Sequence, residues 1–215
     1  MPPVISVIGR SKSGKTSLIE KLIAELKLRG YRVATIKHAQ EIDFEPGKDS
    51  WRHLQAGSAA TIVVSPDEAV LIKPVTAVDT LDDIVRLMGE DYDVILTEGY
   101  KQANTPKIEV RHGENNTPLE KIKRLVAVVS DEPADASVRQ FSSRDVAKLA
   151  DLLEEGFIMP QRDRLALYIN GKRLTLKSFP RKIICNLLIN MVSSLKGVDE
   201  VSSLDVFLRK LPEKK

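Results

Sequence analysis

The chain has 215 residues and a formal net charge of +3; 42% of its residues are hydrophobic and 29% are charged, which excludes a collagen-like or low-complexity chain. No apolar run reaches the ~18 residues that a membrane span needs, and the apolar run near the N-terminus is too short for a signal peptide. The single cysteine cannot form an internal disulfide, so we expect a cytoplasmic protein that makes no membrane contact.

The first 36 residues predict a strand, a loop, a helix and a second strand in that order. A β-branched run over residues 4–8 indicates a buried strand, and residues 31–36 indicate another. Between them apolar residues recur at helical spacing before Gly30 provides a stop; these residues are Leu18, Ile19, Leu22, Ile23 and Leu26. A strand–helix–strand unit of this kind needs a parallel sheet and a right-handed crossover.

The loop between the first strand and the helix matches the pattern G-x-x-x-x-G-K-[ST] of a phosphate-binding loop. Its residues, called the phosphate loop below, are Gly9, Arg10, Ser11, Lys12, Ser13, Gly14, Lys15 and Thr16. Backbone N–H groups of such a loop, together with the positive end of the helix, surround phosphate oxygens. We expect the phosphate loop and Ser17 to bind nucleotide, with Lys15 on the β- and γ-phosphates and Thr16 on Mg²⁺.

The remainder of the first domain is predicted from apolar runs and turn residues. Residues 37–50 show no periodicity and indicate a loop. Further elements are predicted as a helix at 51–56, a hairpin of strands at 61–65 and 69–73, a helix at 80–88 capped by Thr80, strands at 92–96, 107–111 and 125–130, and a helix at 143–153. We expect an α/β domain over residues 1–158, of the P-loop NTPase type, with a mostly parallel sheet flanked by helices.

Polar side chains follow two of the predicted strands. Glu98 stands where the strand at 92–96 runs into a loop, and in a parallel sheet that edge also carries the phosphate loop. A catalytic or Mg²⁺-binding carboxylate is needed there, although a surface glutamate before a turn is the alternative. Lys37 and His38 follow the second strand at the same edge, and His38 is equally well explained as a hydrogen-bonded loop histidine.

The C-terminal segment differs from the rest in charge. Residues 1–160 hold 21 basic and 25 acidic residues, whereas residues 161–215 hold 12 and 5, giving net charges of −4 and +7. Asn170-Gly171 predicts a hairpin between strands at 165–169 and 173–176, followed by a helix from Ser178 and a strand at 201–208. We therefore predict a small basic α+β module of ββαβ order over residues 161–215.

Several motifs together identify a resemblance. The phosphate loop, Lys37-His38, Gly47-Lys48-Asp49-Ser50, Ala56-Gly57 and Thr97-Glu98-Gly99-Tyr100-Lys101 occur in the order and spacing of one family over roughly residues 1–155. This pattern resembles the molybdopterin-guanine dinucleotide biosynthesis protein B (MobB) family. The segment Ala39-Gln40-Glu41 departs from it, because many members carry further histidines there, and the module over residues 161–215 is not part of the family's minimal domain.

The resemblance implies a function and a metal site. It implies a homodimeric GTP-binding protein, at most a weak Mg²⁺-dependent GTPase, that assists the molybdenum cofactor guanylyltransferase in attaching GMP to molybdopterin. It also implies that Asp49 and Glu98 lie around Mg²⁺, next to Thr16. Lys15 and Glu98 would then be the catalytic residues, neutralising phosphate charge and orienting the metal shell.

Other interpretations remain open. The chain has no N-K-x-D motif for guanine; Ser130-Asp131 is a candidate base-recognising loop, whose aspartate could accept hydrogen bonds from guanine N1 and N2, and a plain turn aspartate is the alternative. A small-molecule or nucleoside kinase could use the same phosphate loop, with Lys101, Lys107, Arg111 and Lys121 of the segment 101–124 in a lid. A nucleic-acid-binding module is disfavoured because the basic segment lacks interleaved aromatic residues.

Overall fold

A computed structural model describes residues 1–39, 48–74, 80–112, 117–134, 137–161, 164–170, 172–206 and 208. The chain divides into two compact units, residues 1–163 and residues 164–215. In the described residues, no helix has both the length and the apolar character required to cross a membrane.

The first unit contains both strands and helices. In chain order its elements are β1 (Val4–Gly9), α1 (Lys15–Leu28), β2 (Val33–Lys37), α2 (Lys48–Gln55), β3 (Thr61–Val64), β4 (Ala69–Ile72), α3 (Leu81–Met88), β5 (Val94–Glu98), β6 (Lys107–Val110), β7 (Leu125–Val129), β8 (Arg139–Phe141) and α4 (Val146–Leu153). Six strands form one sheet of order β2-β5-β1-β6-β7-β8, in which every neighbouring pair is parallel. The expected α/β fold with a parallel sheet is therefore confirmed.

The central strand β1 explains why the sheet forms around it. Its side chains from Ile5 to Ile8 are fully buried, as expected for a β-branched run covered on both faces of a parallel sheet. Helix α1 packs its apolar stripe, including Leu22 and Leu26, into the same core as Leu149 and Leu153 of α4. These contacts hold the start of α1 directly behind the end of β1.

Most predicted boundaries shift by a few residues for local reasons. Helix α3 begins after Thr80, whose side chain accepts from the Asp83 N–H while the Asp83 carboxylate accepts from the Thr80 N–H, so the predicted cap is confirmed. Helix α4 begins at Val146 rather than 143, because the Asp145 carboxylate holds the Ser142 N–H and hydroxyl in a turn. The three-residue strand β8 was too short for the sequence pattern to predict.

A two-stranded hairpin and the short helix α2 lie outside the main sheet. Strands β3 and β4 pair antiparallel with each other and form the predicted hairpin. Helix α2 begins at Lys48, so the expected loop over 37–50 is wrong at its end. The intervening residues 40–47 lie outside the described part of the chain.

The second unit contains a hairpin and a helix. Strands β9 (Leu167–Ile169) and β10 (Lys172–Leu174) pair antiparallel around Asn170, which adopts the positive φ of 50° that such a turn needs, and helix α5 spans Ser178–Ser193. The strand predicted at 201–208 is wrong, because the described residues 201–206 and 208 have no strand pairing. An extended segment without a partner strand forms no strand–strand hydrogen bonds that would stabilise it. The described elements of the second unit therefore follow the order ββα.

Candidate functional site

The phosphate loop lies between β1 and α1 and closes on itself. Gly14 and Lys12 adopt positive φ angles of 90° and 59°, which curl the chain before the first turn of α1. A Cβ on Gly9 would lie 2.4 Å from the Ser13 Oγ and 2.5 Å from the Val110 carbonyl oxygen. Only glycine fits at position 9, because β6 runs directly beside it. The local geometry is that of a backbone cradle opening at a helix N-terminus.

Lys15 folds back over this cradle. Its Nζ donates a hydrogen bond to the Arg10 carbonyl oxygen at 2.6 Å. Desolvation lowers the pKa of Lys15 from its usual value, Glu98 partly offsets the shift, and the positive charges of Lys101 and Lys37 add to the lowering. A cluster of three lysines around a backbone cradle creates a positive potential that a phosphate would relieve.

Glu98 and Thr16 meet at the edge of the sheet. Strand β5 pairs with β1 so that Glu98 stands opposite Val7, and the Thr16 hydroxyl donates to the Glu98 Oε2 at 3.0 Å although the two residues are 82 positions apart. A hydroxyl and a carboxylate are hard oxygen ligands of the kind Mg²⁺ prefers, with phosphate oxygens and water completing its shell. The two side chains therefore fit a Mg²⁺ ion held together with a phosphate.

Lys37 and His38 lie at the same edge, as their sequence positions predicted. Lys37 stands opposite Glu98 in the pairing of β2 with β5, and the His38 N–H donates to the Glu98 carbonyl oxygen at 3.2 Å. The His38 ring packs edge-on against Tyr100, with ring centroids 5.3 Å apart. The histidine thus shapes the turn that follows Glu98.

Asp49 is placed differently. It lies in the first turn of α2, is highly exposed, and forms a long ion pair of 3.5 Å with Arg52. The structure thus brings Thr16 and Glu98 together and pairs Asp49 with Arg52. In the part of the chain that the structure describes, no group of three His, Cys, Asp or Glu side chains could hold a metal ion by itself. A role for Asp49 at Mg²⁺ stays a prediction.

A cavity of about 180 Å³ opens beside the phosphate loop, and its lining includes Ser130 and Asp131, which the sequence analysis gave as a candidate base-recognising loop. It is lined by the loop and the first turns of α1, the ends of β6 and β7, and Ser143 before α4. In its wall Arg111 forms a buried ion pair of 2.7 Å with Glu109. The charged residues within the apolar run at 107–111 were a signal for this pair, since unpaired charges are rarely buried.

A larger open groove of about 450 Å³ lies between β8 and α4. Its lining comes from those two elements and from the segment after α4, rather than from the phosphate loop. It adds no group that would bind a phosphate next to Lys15.

The fold and this site define an α/β protein whose central strand ends in a loop with the sequence motif of phosphate-binding loops. A family model described as Molybdopterin guanine dinucleotide synthesis protein B (MobB) matches residues 4–131. The chain belongs to the MobB family.

Similar proteins agree with this assignment. A molybdopterin-guanine dinucleotide biosynthesis adapter protein of Escherichia coli is 36% identical over 163 residues, which is 72% of this chain and 93% of that protein. One of Haemophilus influenzae is 34% identical over 157 residues, covering 71% of this chain and 88% of the relative. A crystal structure of molybdopterin-guanine biosynthesis protein B (mobB) matches 71% of this chain and 97% of its own, with a TM-score of 0.57 and 31% identity.

Proposed function

We propose that this chain is a Mg²⁺-dependent GTP-binding adapter protein of molybdenum cofactor biosynthesis, acting where GMP is attached to molybdopterin. The observation that carries the proposal is the Thr16–Glu98 contact beside a closed phosphate loop, in a chain whose relatives are adapter proteins for molybdopterin-guanine dinucleotide. Binding partners would be a second copy of the chain, the guanylyltransferase and molybdopterin, in the cytoplasm.

Different groups of the phosphate loop would bind different parts of the triphosphate. The backbone N–H groups after Gly9 would donate to phosphate oxygens. The Lys15 Nζ would give up its hydrogen bond to the Arg10 carbonyl oxygen and donate to the β- and γ-phosphates instead. Bound Mg²⁺ would neutralise charge between the phosphates. Glu98 would hold the Thr16 hydroxyl in place for the ion, so the site favours tight binding and slow hydrolysis.

The test compares Lys15→Ala with Lys27→Ala, which removes the same charge from the exposed last turn of the same helix. We expect Lys15→Ala to weaken Mg²⁺–GTP binding by at least about 100-fold, because charge-assisted hydrogen bonds to two phosphates contribute about 1.5–3 kcal/mol each. Lys27→Ala should bind as the unchanged protein does. Titration calorimetry with GTP, ATP and CTP, with and without Mg²⁺, gives the affinities.

Two results would contradict the proposal. Equal affinity for GTP and ATP would contradict the proposed preference for guanine. Unchanged GTP binding by Lys15→Ala, or binding that does not weaken when Mg²⁺ is chelated, would contradict the proposal that the phosphate loop holds Mg²⁺–GTP.

The kinase alternative receives less support from the structure. Of the basic residues considered for a lid, Lys107 is buried and donates to the carbonyl oxygens of Ala103 and Thr105, and Arg111 is buried against Glu109. Both side chains serve internal contacts, which leaves Lys101 and Lys121 for an acceptor. Phosphate transfer to an acceptor faster than hydrolysis would favour the kinase.

A further inference from the structure

The second unit leaves most of its apolar surface uncovered. Between residues 164 and 208, none of the side chains that the structure describes is buried. Helix α5 is apolar over a wide arc of its circumference: Ile184, Leu188 and Val192 are half-buried, and a second set beside them is exposed. A helix that is apolar over so wide an arc is normally covered on more than one side.

The exposed apolar side chains of α5 form one continuous row. They occur at every fourth residue, so they lie on a single ridge of the helix surface. This apolar ridge consists of Phe179, Ile183, Leu187, Met191 and, just past the end of the helix, Leu195, and its side chains are 48–74% exposed. Ridges of this spacing interdigitate when two helices cross at about −50°, the commonest helix packing in globular proteins. The apolar ridge therefore has the form that packs against a second helix.

The size of the apolar ridge suits a protein interface. Monomeric proteins rarely expose contiguous apolar patches larger than a few hundred Å². A stable interface takes at least about 600 Å² from each partner. Five large side chains, each exposed over roughly half of its surface or more, supply an area of that order.

The charges at the two ends of α5 indicate the direction of the second helix. The charged residues near its start are all basic, namely Lys177, Arg181 and Lys182. Those just past its end are mostly acidic, namely Lys196, Asp199 and Glu200. Both ends oppose the helix dipole, which favours acidic residues at the start and basic residues at the end. An antiparallel copy of the same helix would place each basic end beside an acidic end.

We propose that α5 is a self-association surface, at which the apolar ridges of two copies of this chain pack antiparallel about a two-fold axis near Leu187. Leu187 is the middle residue of the ridge, so a symmetric interface places it opposite the same residue of the second copy. The match to the MobB family covers residues 4–131 and does not include α5. The inference goes beyond the proposed function, because it concerns a surface outside the unit that contains the phosphate loop and holds whether or not GTP binds.

The test forms a disulfide across the two-fold axis of the full chain. Cys185→Ser first removes the native thiol, and Leu187→Cys is added in that background. We expect copper phenanthroline to link two copies at least about tenfold faster than in Ile189→Cys, because the Cα atoms at a helix crossing approach the ~4.4–6.8 Å that a disulfide spans. Ile189 is the matched control, since it is exposed on the same helix but lies about 200° around it. Electrophoresis without reductant measures both rates.

A second pair of substitutions tests whether the ridge itself holds the copies together. Met191→Lys, added to the Leu187→Cys chain, should slow the linking at least about tenfold, because it places a charge inside an apolar contact. Ile189→Lys, added to the same chain, should leave the rate unchanged. Circular dichroism verifies that each variant keeps the helix content of the unchanged protein.

Three outcomes would overturn the inference. These are equal linking rates for Leu187→Cys and Ile189→Cys, a Leu187→Cys rate that Met191→Lys does not change, and an unchanged chain that sediments as a monomer at every concentration. The last outcome would leave a different, acidic protein as the occupant of the ridge. Failure of the unchanged protein to bind GTP would contradict the proposed function alone.

Discussion

Gly9 shows how strongly one residue can constrain the site. Its Cα faces both the Ser13 Oγ and the backbone carbonyl of Val110, and the carbonyl is fixed by the pairing of β6 with β7. Since Ser13 is buried as well, neither neighbour can move away without opening the loop. The glycine therefore serves both the packing of β1 on β6 and the closure of the phosphate loop.

We expect Gly9→Ala to lower the free energy of unfolding by about 1–3 kcal/mol, the usual cost of overpacking, and to abolish GTP binding. Gly156→Ala is the control, since a Cβ there has no atom within 4 Å and its φ is not left-handed. Urea unfolding and GTP titration measure the two effects. A Gly9→Ala protein as stable as Gly156→Ala, with GTP binding intact, would contradict the close approach.

At the scale of elements, Arg29 joins the end of α1 to α4 and the helical turn that follows it. The guanidinium bonds to Glu25, Asp151 and Glu154 at 2.7–2.9 Å. Glu154 also accepts from the Tyr31 hydroxyl at 2.7 Å. These bonds clamp α1, which begins at the phosphate loop, onto α4, which begins beside Ser143. The helix that follows the phosphate loop and the helix that follows Ser143 are thus joined by one polar cluster.

Arg29→Ala should lower the free energy of unfolding by about 1–3 kcal/mol at pH 7, because hydrogen bonds to charged groups are lost. The pKa of Glu154 is held below its usual 4.5 by Arg29 and Tyr31, so its contribution is present above pH 4.5 and is lost as the pH falls below that value. The difference between Arg29→Ala and the unchanged protein should therefore narrow in acid.

Arg52→Ala provides the contrast for this prediction. Arg52 and Asp49 are both largely exposed and 3.5 Å apart, so their pair should contribute less than about 0.5 kcal/mol at any pH. Urea unfolding at several pH values measures both variants. An Arg29→Ala effect as small as that of Arg52→Ala would show that α1 and α4 are held by apolar packing alone.

At the scale of the whole molecule, the phosphate loop and the side chains around it belong to the first unit. The phosphate loop, Glu98 and Asp131 all lie within residues 1–163, and so does the core that supports them. In the second unit, no residue of α5 is buried, and its exposed apolar residues include Phe179 and Leu187. The first unit therefore has a buried core to stabilise it, whereas helix α5 of the second unit buries no residue.

Residues 1–163 expressed alone should fold and bind Mg²⁺–GTP within about threefold of the full chain, because a core of more than 150 residues buries enough apolar surface for independent stability. Circular dichroism on heating and GTP titration test this. A tenfold loss of affinity, or a protein that does not unfold cooperatively, would show that residues 164–215 take part in the first unit's stability or in its site.

The local parts of this protein could be predicted from the sequence. The strand, loop and helix over residues 4–28, the cap at Thr80 and the hairpin at Asn170 follow from spacing and turn chemistry, which act between residues close in the chain. The placement of Glu98 at the edge of the phosphate loop also followed, because a parallel sheet puts the carboxyl ends of its strands together.

Only the tertiary structure decided which of these residues meet. The hydroxyl of Thr16 reaches Glu98 because β5 is the neighbour of β1, and the cavity forms because β6 and β7 lie on the other side. Strand order depends on pairings between distant segments, which no local pattern encodes. For the same reason the sequence predicted a strand at 201–208, whose described residues 201–206 and 208 pair with no other strand. It also missed the buried pair of Glu109 and Arg111, whose burial depends on the neighbours that folding brings around it.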